Sequence, residues 1–265
     1  MLEIFQYEFM QRAFLAGIII SILASVSGTF VVLKRYSMIS ETLAHSALVG
    51  VAVGLVAGYN PLWMAVIIAI LSAWLIEYLR SSFALYSDSI LAIFLSGSLA
   101  TAVIIVSLGG AFNNSLFSYL FGSILSVSSE DVITIASFGV FALSLLLIFS
   151  KELYFIAYDE EVAKTSGVKV KFLNYLLVTV VAIIIALSIR VVGSLLIGAL
   201  MVIPTVAALQ YRRGFVQTML ISLLFAIVSV LVGMTLSFYF SLPSGATIVL
   251  SVLSIFIISL IVNRK

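Results

Sequence analysis

Long runs of apolar residues, separated by short polar segments, occupy almost the whole chain of 265 residues. A helix needs roughly 20 apolar residues to cross the hydrocarbon core of a bilayer, and nine stretches reach or approach that length. They cover residues 13–33, 41–58, 62–79, 89–109, 131–150, 172–190, 193–210, 215–240 and 246–263. The pattern predicts an all-α, polytopic transmembrane helix bundle of about nine spans, forming a single membrane domain over residues 1–265.

Two places leave the number of spans open between nine and eight. Only Arg190 interrupts the apolar sequence between the sixth and seventh stretches. The segment 111–130 is aromatic, rich in serine and too polar to span a bilayer well, so it is interpreted as an interfacial or re-entrant piece. Eight spans are the alternative if one of the nine stretches re-enters the membrane instead of crossing it.

Composition agrees with lipid as the main solvent of this chain. Hydrophobic residues make up 63% of the sequence and charged residues only 9%, whereas soluble domains carry roughly 25% charged residues. The mean hydropathy is +1.32, and no soluble fold hides that much apolar surface. A formal net charge of +2, with no basic patch interleaved with aromatic residues, argues against a nucleic-acid partner.

Lysine and arginine indicate the orientation, because short cytoplasmic loops of membrane proteins are enriched in both. If nine spans alternate with the N-terminus outside, all of the 13 basic residues except Arg12 and Arg190 fall on the cytoplasmic side. The outer side collects acids instead, including Glu3, Glu8 and Glu130. The pattern favours an external N-terminus and a cytoplasmic C-terminus.

An acid and a histidine stand four residues apart near the start of the second span. Glu41 and His45, the only histidine of the chain, share one helix face among small residues that leave room for a polar cavity. Carboxylate and imidazole together can bind a divalent transition metal or relay protons. The structural alternative is a helix start near the interface with His45 bonded to a neighbour, and spacing alone gives it about equal weight.

Two ligands do not complete a tetrahedral metal site, which needs four. A symmetric dimer with this helix at its axis would bring together two copies each of Glu41 and His45, and homodimers are the commonest oligomers. The complete site is therefore expected to belong to an interface between two copies of the chain.

Two further segments combine polar residues with helix breakers. In the segment 159–167, Asp159 is a candidate N-cap and Gly167 a candidate left-handed end of a short helix. Such a helix on the membrane face suits docking of a soluble partner, with an ordinary structured loop as the alternative. In the seventh stretch, Gly193, Gly198 and Pro204 favour a broken helix lining a cavity, with a kinked packing helix as the alternative.

Three stretches together resemble the permease subunit of ABC transporters that take up manganese, zinc or iron. They are VSGTFVVLKRYSMISETLAHSALVGVAVG (26–54), YDEEVAKTSGVKV (158–170) and VVGSLLIGALMVIPTVAA (191–208). The first resembles that family's order of Gly, a basic pair, an acid four residues before His, and Gly. The second resembles its Asp-x-x-x-Ala-x-x-x-Gly loop, and the third its Gly-x-Leu-Leu and Pro-x-x-x-Ala span.

The resemblance implies a homodimeric permease in a prokaryotic plasma membrane, working with a separate ATPase and an extracellular metal-binding protein. It places Glu41 and His45 in the metal pathway, and it places the ATPase-contacting residues Asp159, Glu161, Ala163 and Gly167 in a cytoplasmic coupling segment, 158–170. The metal ion would be a transported substrate and not a permanent cofactor.

Three departures from that family are visible in the sequence. The pathway acid is commonly Asp but here is Glu41, and Glu160 stands where Pro is common. The His-rich segment of many zinc-type members does not occur in this chain, which slightly disfavours a zinc-only substrate.

The sequence carries no P-loop, so any ATP hydrolysis is assigned to another chain and this chain is not expected to be an enzyme. The rival hypothesis is a self-contained secondary carrier or channel in which Glu41 and His45 relay protons. A membrane-embedded hydrolase is disfavoured, because the chain has one histidine, no cysteine and neither a GxSxG nor an HExxH motif.

Overall fold

The computed structural model describes residues 6–83, 86–109, 114–123 and 127–263 as an α-helical bundle, with no strand among them. The helices found in these ranges are α1 Glu8–Leu33, α2 Met38–Ala57, α3 Pro61–Ser82, α4 Ser87–Leu108, α5 Asn114–Phe121, α6 Ser129–Ile148, α7 Ser150–Tyr158, α8 Glu160–Thr165, α9 Val170–Val192, α10 Ile197–Leu209, α11 Phe215–Phe240 and α12 Ser244–Val262. The prediction of an all-α, polytopic bundle is confirmed.

Within the described residues, eight helices are long and apolar enough to cross a membrane, and each corresponds to one predicted stretch. The remaining stretch, 193–210, does not form a ninth full span. Its helix α10 has 13 residues and therefore extends about 20 Å, short of the roughly 30 Å hydrocarbon core. The described residues thus favour the alternative of eight full spans, with one short helix that connects α9 to α11.

The break between α9 and α10 depends on Gly193, whose backbone (φ 92°, ψ 150°) lies in a region that is open almost only to glycine. The non-helical turn after it finds hydrogen-bond partners on α5. Ser194 N–H donates to the Tyr119 carbonyl (2.8 Å) and Leu195 N–H to the Leu120 carbonyl (3.2 Å). Since unpaired backbone groups are costly in lipid, the two carbonyl groups of α5 stabilise the break in the helix. The whole of α5 falls in the predicted interfacial or re-entrant segment 111–130.

Helices α1, α2 and α9 form the buried centre of the bundle, and α4, α6, α11 and α12 surround it with much of their surface exposed. Small residues bring the central helices α1 and α2 into close contact with their neighbours. A Cβ added at Gly28 of α1 would meet the Met201 carbonyl oxygen of α10 at 2.0 Å, and one at Gly50 of α2 would meet the Met64 carbonyl oxygen of α3 at 2.4 Å. Backbones approach this closely only where the side chain is absent.

Hydroxyl groups join three helices inside the bundle. Ser222 of α11 lies 2.9 Å from Ser25 of α1 and 3.0 Å from Thr205 of α10, oxygen to oxygen. All three side chains are buried. Hydrogen bonds of this kind replace water in a membrane interior and help to hold the short helix α10 in place.

Candidate functional site

The acid and the histidine predicted from the sequence both lie in the first two turns of α2, on one helix face. Glu41 is exposed, although most of α2 is buried. His45, one turn further, is only 5% exposed. The predicted pair therefore places one polar side chain at the surface of the chain and the other inside the bundle.

One of the two ring nitrogens of His45 lacks a hydrogen-bond partner among the residues that the structure describes. This nitrogen, Nδ1, is buried and unpartnered there, a state shared with the hydroxyl groups of Tyr36 and Ser194. A buried polar atom without a partner costs about 1–3 kcal/mol. The carboxylate of Glu41 likewise has no ion-pair partner in the described ranges. The structural alternative, a helix start near the interface with His45 bonded to a neighbour, finds no support at Nδ1 in the described residues.

The start of α10 packs against the turn of α2 that carries Glu41. A Cβ added at Gly198 would lie 3.4 Å from the Glu41 nitrogen and 3.5 Å from its Cα. Pro204 is buried further along the same short helix. The structure thus brings Gly198, a predicted helix-break residue, to the predicted metal ligand, while Gly193 lies at the turn held by α5.

A single copy of the chain does not complete a metal site. In the part of the chain that the structure describes, no group of three or more His, Cys, Asp or Glu residues lies close enough together to hold an ion. Glu41 and His45 offer two donors of types that suit first-row divalent ions. Their arrangement agrees with half of a shared site.

The short helix α8 has the ends that its sequence predicted. The Asp159 side chain accepts hydrogen bonds from the Glu161 and Val162 N–H groups, both at 3.0 Å. At the other end Gly167 adopts φ 86°, and Val168 N–H donates to the Ala163 carbonyl at 3.1 Å, the pattern of a Schellman cap. Ala163 is buried and Glu161 exposed, so α8 packs through one face and leaves the other free.

Glu160 connects α8 to three other parts of the bundle, a role that sequence reasoning missed. Its carboxylate accepts hydrogen bonds from Arg80 on α3 (3.2 and 3.4 Å) and from the amide of Asn174 on α9 (3.0 Å). It also lies 3.7 Å from Nζ of Lys34, which follows α1 and donates to Asn174 Oδ1. The only hint in the sequence was an acid at a position where the resembling family commonly has proline.

Charge and burial in this cluster offset one another. Burial, followed by the nearby Arg80, lowers the pKa of Lys34 to about 8, and the carboxylates of Glu160 and Glu77 limit the fall. Burial would raise the pKa of Glu160, but Lys34, Arg80 and Asn174 outweigh it and hold that pKa below its ordinary value. Glu160 is therefore ionised near neutral pH, and its charge keeps the neighbouring cations stable at the edge of the bundle.

The other buried acids of the described segments have partners. Glu77 binds Arg80, three residues further along α3, through two hydrogen bonds of 2.7 and 2.9 Å. Asp131 pairs with Arg190 at 2.5 Å and forms a capping box with Ser128 at the start of α6. In contrast to these pairs, Glu41 has no ion-pair partner and Nδ1 of His45 no hydrogen-bond partner among the described residues.

The described residues form an all-α bundle in which Glu41 and His45 lie beside the broken helix α10, with the capped helix α8 at one end. Together these features define a multi-pass membrane permease subunit. A model of the ABC 3 transport family matches residues 6–263, and the chain belongs to that family.

Similar proteins extend over nearly the whole chain. A probable metal transport system membrane protein of Treponema pallidum is 36% identical over 96% of this chain and 95% of its own length. The high-affinity zinc uptake system membrane protein ZnuB of Haemophilus influenzae is 30% identical over 98% of this chain and 99% of its own. The solved structure of PsaBC from Streptococcus pneumoniae in complex with Fab superposes with a TM-score of 0.85 and 30% identity, over 96% of this chain and 91% of the other.

Replacing Glu160 by glutamine should loosen α8 from the bundle, because the charge that binds Lys34 and Arg80 is lost. Loss of one or two kcal/mol of charge-assisted bonding would make local opening roughly 5 to 30 times more frequent. Hydrogen exchange at the protected amides of Ala163, Ser166 and Val168 measures this directly. Glu161→Gln is the matched control, since that exposed side chain has no ion pair with a described residue. Equal exchange in the two variants would contradict the role assigned to Glu160.

Proposed function

We propose that this chain is the membrane-spanning permease subunit of an ATP-driven importer of divalent transition metal ions, namely manganese, zinc or iron. The observation that carries the proposal is the buried, unpartnered Nδ1 of His45 beside the unpaired carboxylate of Glu41. Relatives at full length are described as manganese import permease ScaB in Streptococcus gordonii and zinc uptake protein ZnuB in Haemophilus influenzae. The metal is the substrate that passes through, and a separate chain supplies ATP hydrolysis.

A second copy of the chain completes the metal site in this proposal. An exposed carboxylate in the first turn of a spanning helix is costly where it faces lipid without a partner. The neighbouring helix α4 presents small exposed residues there, and a Cβ at Gly97 would meet nothing within 4 Å. Small residues favour close contact between membrane helices. A homodimer that covers this face pairs the two Glu41 carboxylates across one ion.

The two side chains contribute differently to the binding of the metal ion. The ionised Glu41 supplies charge at the surface of the chain, and the neutral imidazole of His45 offers its free nitrogen further in. A site of two residues from each copy is rebuilt or dismantled when the copies shift, because neither copy holds the ion alone. Such a site releases its ion more readily than a closed structural site, as transport requires.

The coupling segment 158–170 receives the motion of the ATPase in this mechanism. Glu161 lies on the exposed face of α8, which would contact the ATPase. The buried Ala163 and the caps at Asp159 and Gly167 hold the helix rigid. Glu160 passes a displacement to Lys34, four residues before the start of α2. The chain of contacts from α8 to the helix that carries Glu41 is therefore short.

The orientation follows from the same assignment. The α8 end of the bundle faces the cytoplasm, where the ATPase is, and an extracellular metal-binding protein delivers the ion at the opposite end. The N-terminus then lies outside and the C-terminus inside a prokaryotic plasma membrane. This arrangement places Lys164, Lys169 and Lys171 on the cytoplasmic side, as basic residues prefer.

Loss of either proposed ligand should abolish transport. Glu41→Ala and His45→Ala are expected to lower metal uptake at least about 100-fold in proteoliposomes that contain the ATPase, since each removes a ligand outright. Radioactive manganese or zinc uptake measures the effect. Glu152→Gln, which removes an exposed charge on α7, is the control and should transport normally. Uptake by both ligand variants at the normal rate, or by the purified chain without any ATPase, would refute the proposal.

The homodimer predicts a specific cross-link, because the chain has no cysteine of its own. Met38, 46% exposed, lies three residues before Glu41 on α2. Met38→Cys should give a covalent dimer with a short bifunctional maleimide in native membranes, since the two copies of this turn approach one another. Val140→Cys, at a position 69% exposed on α6, is the lipid-facing control. Equal dimer yields from the two variants would contradict the proposed axis.

A further inference from the structure

A second charged site lies at the α8 end of the bundle, apart from Glu41 and His45. A cavity of about 940 Å³ opens between α3, α8 and α9. Its wall contains the ion cluster around Arg80 and, beyond it, Lys164, Lys169 and Lys171. The proposed transport mechanism uses Glu160 from this wall and includes Lys164 and Lys169 in the coupling segment 158–170, but it gives none of the three lysine side chains a role of its own.

The three lysines leave the cavity with an unbalanced positive charge. Within the wall, Glu77 and Glu160 are already neutralised by Arg80 and by Lys34 behind it. Lys164, Lys169 and Lys171 are exposed, and none of them forms an ion pair with a described residue. A cavity with this charge attracts an anion, and a phosphate group is the anion that lysine commonly binds as a point charge.

An apolar groove continues from the charged cavity along the side of the bundle. This groove, of about 410 Å³, lies between α3, α6 and α9, and it shares Phe172 and Tyr175 with the cavity. Its wall is almost wholly apolar, and the indole N–H of Trp74 is already bonded to Thr179 at 2.8 Å. A polar ligand gains nothing here, whereas a hydrocarbon chain does.

The groove extends toward the membrane interior from the charged cavity. Trp74 precedes Arg80 by six residues on α3, which places it about 9 Å deeper along the helix axis. A positive cavity at the membrane surface joined to an apolar groove below it matches a phospholipid, with its headgroup above and an acyl chain beneath.

We infer that this chain holds one anionic phospholipid, with its phosphate among Lys164, Lys169 and Lys171 and one acyl chain in the groove beside Trp74. The headgroup then lies against Glu160 and Arg80, so that a bound lipid contacts the residues that fix α8. This lipid site is independent of the metal that the permease carries.

The chain contains only two tryptophans, Trp63 and Trp74, and this permits a direct test. Trp63→Phe leaves Trp74 as the reporter, to be quenched in nanodiscs by lipids brominated near the top of the acyl chain. Brominated phosphatidylglycerol should quench Trp74 at a lower mole fraction than brominated phosphatidylcholine, by roughly fivefold for each lysine that contacts the phosphate. Lys169→Gln together with Lys171→Gln should bring the two lipids close to equal.

Three controls make the outcome specific. Lys151→Gln with Arg213→Gln removes the same charge from exposed positions elsewhere and should keep the preference for phosphatidylglycerol. Trp74→Phe leaves Trp63, whose ring packs on Phe138 at 5.6 Å outside the groove, and should show no preference. Each variant is required to keep the helical circular dichroism and monodispersity of its parent.

Three results would overturn the inference. Equal quenching by the two lipids in the Trp63→Phe chain would mean that no anionic site exists at the groove. An unchanged preference after loss of Lys169 and Lys171 would mean that the charge acts from elsewhere. Quenching of Trp74 by brominated phosphatidylglycerol that is no stronger than the quenching of Trp63 in the Trp74→Phe chain would mean that the groove holds no lipid of its own.

Discussion

The need to pair every charge that enters a membrane governs this structure. Asp131 is tied to Arg190, and Glu77 to Arg80, because an unpaired ion in that environment is costly. The fold makes one pronounced exception on α2, where Glu41 has no ion-pair partner in the described ranges and the buried Nδ1 of His45 has no hydrogen bond. An exception of this kind persists where a ligand or a second subunit supplies the missing partner. The proposed metal site rests on this exception, as does the proposal that a second copy of the chain completes it.

Backbone groups obey the same constraint, and this explains the broken helix. The turn after Gly193 is tolerated because the carbonyls of Tyr119 and Leu120 on α5 accept its N–H groups. The break lets the next helix start deep in the bundle, so that Gly198 reaches the turn of α2 carrying Glu41. At the same end of α2, Glu160 ties the capped helix α8 to the segment that leads into α2. The proposed metal site, the broken helix and the proposed coupling helix thus all adjoin the start of α2.

Much of this architecture could be predicted from the sequence, because hydropathy and helix caps act locally. The eight long helices, the pair of Glu41 and His45 on one face, and the ends of α8 at Asp159 and Gly167 all follow from residues close together in the chain. The length of α10 could not, since it depends on contacts with α5, about 70 residues away. The role of Glu160 could not either, because its partners Lys34, Arg80 and Asn174 come from three separate helical regions. Periodicity also cannot show whether a histidine nitrogen finds a partner, and that is the property that separates a ligand from a packed side chain.

The most direct test of the account is whether a bound ion contacts His45. Because the chain has a single histidine, pulsed electron paramagnetic resonance of bound Mn²⁺ reports on that side chain alone, provided that the protein is purified through a tag without histidine. The account predicts a clear imidazole nitrogen coupling in the native chain, which disappears in His45→Ala. A saturable Mn²⁺ site on the native dimer that shows no imidazole nitrogen coupling would contradict it.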